Sequence, residues 1–311
     1  MNGTKLQQQY KDFLSDFNEW EQKSHAKDWL IFPENIGKHL SIDETSVSQG
    51  ELYTILTNKS AKGKKGCIVA IVAGTKAEEV IKVIEKIPLK LRRKVSEITL
   101  DMAGNMELIA KRCFPVAIRV TDRFHVQKLA SEALQEIRIK YRWEAIDAEN
   151  EAIEKAKTSK KQFEPTILSN GDTVKQLLAR SRYVLYKKRT DWKESQLERA
   201  KLLFELYPDI EKAYELTQKL SHIFETTKDK LYATSRLAQW HEKVRQSRFK
   251  SFNTISRTIM NHYQTILNYF DNRSTNASAE SFNAKIKAFR SQFRGVRNIE
   301  FFLFRLTKIY A

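Results

Sequence analysis

Residues 96–126, SEITLDMAGNMELIAKRCFPVAIRVTDRFHV, decide the fold. SEITLD reads as a strand that ends in Asp101, with Gly104 just beyond it. MELIAKRCF reads as a helix stopped by Pro115, and VAIRVTDRFHV as a second strand running into Asp122 and His125. Upstream, HLSIDETSV, ELYTILTN and GCIVAIVAG read as three short strands, with the Gly/Lys turn AKGKKG (61–66) before the third. TKAEEVIKVIEKIP then places Val80, Ile81, Val83, Ile84 and Ile87 at helical spacing and closes at Pro88. Three strands followed by helix, strand, helix, strand predict an α/β fold: a mixed five-stranded sheet with flanking helices.

Downstream of His125 the strand pattern stops. Gly171 is the only glycine between Gly104 and Gly295, and residues 126–160 and 173–270 read as long helices around a loop at 161–172, KQFEPTILSNGD. Residues 4–24, with Tyr10, Phe13, Leu14, Phe17 and Trp20 at helical spacing, read as a lead-in helix ended by Trp29–Pro33. The expected division is a lead-in over 1–36, a sheet domain over 37–130 and 271–311, and a large all-α insertion over 131–270. Trp143, Trp192 and Trp240 fall in that insertion, where most are expected in the core and one could stack on a base.

The late stretch NASAESFNAKIKAFRSQFRG (276–295) is an amphipathic helix with Gly295 as its stop. Phe282, Ile286, Phe289 and Phe293 share one stripe, and Glu280, Asn283, Lys287, Arg290 and Arg294 share the other. A carboxylate near a helix N-terminus suits a metal ligand, and the cationic turns behind it suit a phosphate chain. Seven Lys/Arg stand against one acid in 281–311, within a chain whose net charge is +17. That excess points to a polyanionic partner, nucleic acid before membrane. No run of 18 apolar residues is present, and the polar N-terminus has no apolar signal core, so export is not expected. Cys67 and Cys113 are isolated, which speaks against structural zinc and a disulfide framework.

In LSIDET, Leu40 and Ile42 point one way and Ser41 and Asp43 the other, and an acid in mid-sheet is costly unless it is paired or holds a cation. Asp101 lies at the carboxyl end of a strand, where such sheets present their sites. Asp43, Asp101 and Glu280 together form an oxygen-only set fit for a pair of hard divalent ions roughly 3.5–4 Å apart. Taken singly, Asp43 could be a turn residue and Asp101 a cap for the helix that follows.

SIDET, ITLDMAGNMELIAKRCFP, VTDRFHVQKL and YFDNRSTNASAESFNAKIKAFR together resemble the DDE insertion-sequence transposases of the ISL3 type, from about residue 38 to the end. The resemblance implies a ribonuclease H-like catalytic domain and metal-dependent cleavage and transfer of DNA strands at the ends of a mobile element. It implies Asp43, Asp101 and Glu280 as catalytic residues holding two Mg²⁺ or Mn²⁺ ions. Asp122 is the rival for the second acid. Asp122 and His125 otherwise form a supporting pair, unless His125 simply bonds a backbone carbonyl. Arg273, Asn276, Asn283, Lys285, Lys287, Arg290, Arg294 and Arg297 are the candidates for contacting DNA, Lys285 off the Glu280 face. Relatives carry a zinc-binding and helix-turn-helix region ahead of this domain, whereas about 35 residues without a Cys/His cluster precede the first strand here. Recognition of the element's ends is therefore expected from a separate polypeptide, from the insertion, or not at all, in a homo-oligomer on DNA in the cytoplasm, at the nucleoid. The alternatives are a non-catalytic DNA-binding remnant that regulates transposition, and a nuclease without strand transfer.

Overall fold

The computed structural model describes residues 3–48, 50–292 and 296–311. Its sheet has six strands: β1 (Trp29–Ile31), β2 (His39–Ser48), β3 (Glu51–Asn58), β4 (Ile68–Ala73), β5 (Glu97–Leu100) and β6 (Ile118–Thr121), in the order β1-β4-β3-β2-β5-β6. The strands β1 to β4 pair antiparallel along the order β1-β4-β3-β2, and β5 and β6 run parallel to β2. The mixed sheet that the pattern predicts is present, with one strand added. That strand, β1, is three residues long, and its pairing to Ala70–Val72 is a long-range contact that no local period announces.

Strand alternation sorts the core into two layers. Leu40, Ile42, Ile98 and Leu100 face α2 (Ala77–Ile84) and α4 (Gly104–Cys113), where Val80, Ile84, Met106 and Ile109 are buried. The short helix α3 (Leu89–Arg92) follows α2, and its Arg92 is buried with Nε and Nη1 donating to the Ile87 and Cys113 carbonyls. Tyr53, Ile55, Ile68 and Ile71 face the other way, onto Phe282 and Ile286 of α13 (Ala277–Gln292) and Phe302, Leu303 and Leu306 of α14 (Ile299–Tyr310). Burying a Phe or Ile fully contributes roughly 1.5–3 kcal/mol, so the apolar stripe of α13 fixes its polar stripe against the sheet.

The lead-in is less helical than its spacing suggests. Helix α1 covers Gly3–Gln9, and the chain turns extended at Ser15. Phe17 and Trp20 leave the helical path because α14 captures them: Phe17 packs edge-on against Phe301 and Phe304, and Trp20 against Phe304. Both cysteines are free and buried, and burial pushes the Cys113 thiol up to about 12.

By its contacts the chain divides into two compact units, residues 1–124 with 264–311, and residues 125–263. The second is all helix: most of α5 (Arg123–Thr158), then α6 (Val174–Arg180), α7 (Glu194–Leu206), α8 (Pro208–Thr226), α9 (Lys230–Ser247) and α10 (Lys250–Asn261). The loop before α6 is pinned. Asp172 is buried and accepts from Arg180 and from Arg199 Nε (3.1 Å). Two short helices, α11 (Tyr263–Leu267) and α12 (Tyr269–Asn272), lead back to α13. Among the described residues no helix is long and apolar enough to cross a membrane.

Candidate active site

The parallel half of the sheet lines up three aspartates. Ser41 pairs with Thr99 across β2 and β5, and Leu100 pairs with Thr121 across β5 and β6. The ladder continues past the strand ends, since the Asp122 N–H donates to the Leu100 carbonyl at 2.9 Å. Carried forward, these registers set Asp43, Asp101 and Asp122 in one row. Residues opposite one another in a parallel pair share a face. The face is that of α13, because Asp43 pairs with Ile55, which belongs to the layer under α13 and α14.

Each acid is held differently. Asp43 is half-buried; its Oδ1 accepts from the Glu44 N–H (2.8 Å) and its Oδ2 from Asn283 Nδ2 (2.7 Å). Asp101 Oδ1 accepts from the Ala103 N–H (2.9 Å), which turns the chain into α4. It does not cap that helix, whose N-cap is Ala103 without a side-chain cap bond. Asp122 is only 1% exposed. Glu280 sits in the first turn of α13, with its N–H donating to the Asn276 carbonyl (3.0 Å). Asn276, one turn earlier, is wholly buried with both amide atoms unpartnered among the described residues.

One ligand atom each from Asp122, His125 and Glu280 lies within 4.8 Å of the other two. His125 is three residues on from Asp122 in the first turn of α5, so covalent continuity sets its place beside that acid even though the unit boundary falls there. Asp43 and Asp101 lie outside this group of three. Two carboxylates and an imidazole form a donor set that fits a divalent cation, Mn²⁺ or Mg²⁺ by the oxygen majority.

The basic residues part company. Lys287 and Arg297 are exposed, and Arg290 Nη1 reaches the Ser46 carbonyl at 3.4 Å. Lys285 is turned away from the acids: its Nζ donates to the Gly63 carbonyl (2.8 Å) and lies over the Tyr310 ring. Gly63 has φ +68°, and a Cβ there would meet that Nζ at 2.9 Å, so the turn needs glycine. Arg273, in the left-handed region at the end of α12, lays its guanidinium 5.5 Å from the Tyr269 ring centre. Phe293, Arg294 and Gly295 lie outside the described residues.

Sequence reasoning overlooked the residues that brace the sheet around these acids. Asn105, in the first turn of α4, donates from Nδ2 to Glu44 Oε1 (3.2 Å) and to the Thr75 carbonyl (2.9 Å), linking α4 to β2 beside Asp43. The adjacent acids Asp43-Glu44 were the available signal. Lys59 is largely buried 3.7 Å from Glu97; burial pushes its pKa down, and the Glu97 and Asp122 carboxylates pull it back up. Exposed Lys62, Lys64 and Lys65 on the turn beside Lys285 add positive charge to the same unit. Of the three tryptophans in the helical unit, Trp240 is buried and Trp192 half-buried, with indole N–H groups satisfied by the Leu216 and Val184 carbonyls, while Trp143 is 60% exposed.

A family model described as a transposase, of the ISL3 type of DDE enzymes, matches residues 40–306. No curated protein matches the chain.

Proposed function

We propose that this chain, which belongs to the ISL3 family of DDE transposases, cuts DNA at the ends of an insertion sequence and joins the freed strand to a target. The observation that carries this is the row of aspartates on three neighbouring strands with Glu280 delivered above it by α13. In this proposal Asp43, Asp101 and Glu280 are the catalytic carboxylates, with Asp122 and His125 completing the shell around Glu280. The donor set fits two hard divalent ions, Mg²⁺ or Mn²⁺, which when bound make water or a hydroxyl a better nucleophile and stabilise the leaving oxygen at phosphorus.

The protein's own groups position and hold. Asn283 fixes the Asp43 carboxylate through Oδ2, while Asp101 is oriented by its bond from the Ala103 N–H. The apolar stripe of α13 sets Glu280 over the sheet, and its exposed cations, Lys287 foremost, face solvent where a DNA backbone can run. A water attacks the first phosphodiester and expels a 3′-hydroxyl; that hydroxyl then attacks a target phosphodiester and expels the target strand's own 3′-hydroxyl, so that one P–O bond forms as another breaks in each step. The group Asp122–His125–Glu280 favours a second assignment in which Asp122 is the second acid. The working form is a homo-oligomer on DNA in the cytoplasm.

The test is incubation of the chain with a supercoiled plasmid bearing the element's own termini, with Mg²⁺ and with EDTA. Nicked and then joined products, lost in EDTA, are expected. Nicks with no joined product would leave a nuclease, and retarded but uncut DNA would leave the binding remnant. Asn283→Ala is expected to slow nicking about 10–100-fold, the usual cost of losing a group that orients a ligand, with DNA affinity unchanged. A single-turnover nicking rate equal to wild type would remove Asn283 from the positioning of Asp43.

A further inference from the structure

The helical unit carries a cavity of about 830 Å³ between α8, α9 and the segment before α7. Its floor includes the buried rings of Tyr214 and Trp240. Five cations and three acids line it, and the cations fall into two kinds. Lys188 is bonded to Glu225 and Arg189 to Glu211, each at 2.7 Å, so those charges are already answered. Arg236 gives Nη1 to the Thr226 and Thr227 hydroxyls, and among the described residues neither it nor Lys243 has a carboxylate within ion-pair distance.

Lys219 of α8 and Lys243 of α9 meet across this rim. The Lys219 ammonium stands close enough to push the Lys243 pKa below the usual lysine value, first by direct side-chain contact and then by charge repulsion. Glu215 is too loosely placed to neutralise both, standing 3.9 Å from Lys219 and 4.0 Å from Arg189. Two ammonium groups held together at a cavity mouth are relieved by an anion that bridges them. A carboxylate and a phosphodiester each offer two oxygens, but only the phosphodiester sits in a chain of like charges that the remaining rim can follow.

We propose that this cavity seats backbone phosphates of a DNA strand, with Lys219 and Lys243 closing on one phosphate and Arg236 on its neighbour. The proposal rests on the chain acting on DNA, and it gives the helical unit a DNA contact of its own, independent of the carboxylates on the sheet.

The test compares wild type, the double variant Lys219→Gln/Lys243→Gln, and a charge-matched control, Lys155→Gln/Lys157→Gln, whose lysines are exposed and paired along α5 with Glu151 and Glu154. Binding of a fluorescent duplex is measured in EDTA across a range of salt, so that no cleavage enters. The cavity variant is expected to flatten the slope of log K against log salt by about one, at roughly 0.9 for the one phosphate no longer neutralised, and the control to leave it unchanged. Thermal melting checks that the cavity variant folds, and removing the like-charge repulsion should leave its Tm equal or higher. Equal slopes for wild type and cavity variant, or equal flattening in cavity variant and control, overturn the proposal while leaving the transposase assignment intact. Stabilisation of wild type but not of the cavity variant by inorganic phosphate, with equal DNA slopes, assigns the cavity to a small anion and also overturns it. A chain that binds no duplex at any salt overturns both.

Discussion

Glu280→Gln is expected to lower the rate of Mg²⁺-dependent strand cleavage by about 10³-fold or more, a loss of roughly 4 kcal/mol of transition-state stabilisation, while leaving DNA affinity near wild type. The substitution keeps size and hydrogen-bonding shape and removes only the charge. Glu280 is half-exposed, and α13 is held by Phe282 and Ile286 beneath it, so the helix stays in place when the charge goes. What is lost is one of the three groups that come within 4.8 Å of one another, and with it the cation affinity of that cluster. Two readouts separate chemistry from folding: cleavage of a supercoiled plasmid, and Mn²⁺ binding followed by the ion's paramagnetic signal. The variant is expected to bind Mn²⁺ measurably more weakly and to recover only part of its rate at high Mn²⁺. Cleavage within tenfold of wild type at ordinary Mg²⁺ would take Glu280 out of the reaction.

That Glu280 could be picked from the chain at all follows from helical periodicity. One acid on an otherwise amide and basic stripe is visible without coordinates, because a stripe at 3.6 residues per turn is a local property. The same is true of the strand alternation that turns Asp43 away from Leu40 and Ile42; those two residues are indeed buried against α2 and α4. Other features depend on contacts between distant segments. Asn283 lies one turn from Glu280, and spacing alone assigns it to that acid, yet its amide reaches Asp43 on the strand below. Helical spacing already puts Lys285 off the Glu280 face, but not the Gly63 carbonyl on the β3–β4 turn that its ammonium meets. The Phe17–Trp20 turn reads as helix because its apolar spacing is helical, and only the aromatic wall of α14 explains why it is not. Strand β1 is too short to show a period.

The register of the parallel strands is the hardest of these to infer, and it bears on the second acid. Asp101 and Asp122 fall in neighbouring places of one row, so position along the sheet does not separate them. Their surroundings do. Asp101 uses Oδ1 to hold the turn into α4, and an asparagine keeps that acceptor. Asp101→Asn is therefore expected to leave folding intact and to reduce cleavage about 10³-fold, with little rescue by excess Mn²⁺. Asp122 is buried beside Glu280 and His125, and its charge also acts on Lys59. Asp122→Asn is expected to weaken ion binding and cleavage by about 10–100-fold, the range seen for supporting groups around a metal, with the rate climbing again as Mn²⁺ is raised. Melting curves on both variants show whether the buried substitution disturbs the sheet. Should Asp122→Asn be the variant that Mn²⁺ cannot rescue, and Asp101→Asn the one that it can, the second catalytic acid is Asp122 and Asp101 only holds the turn into α4.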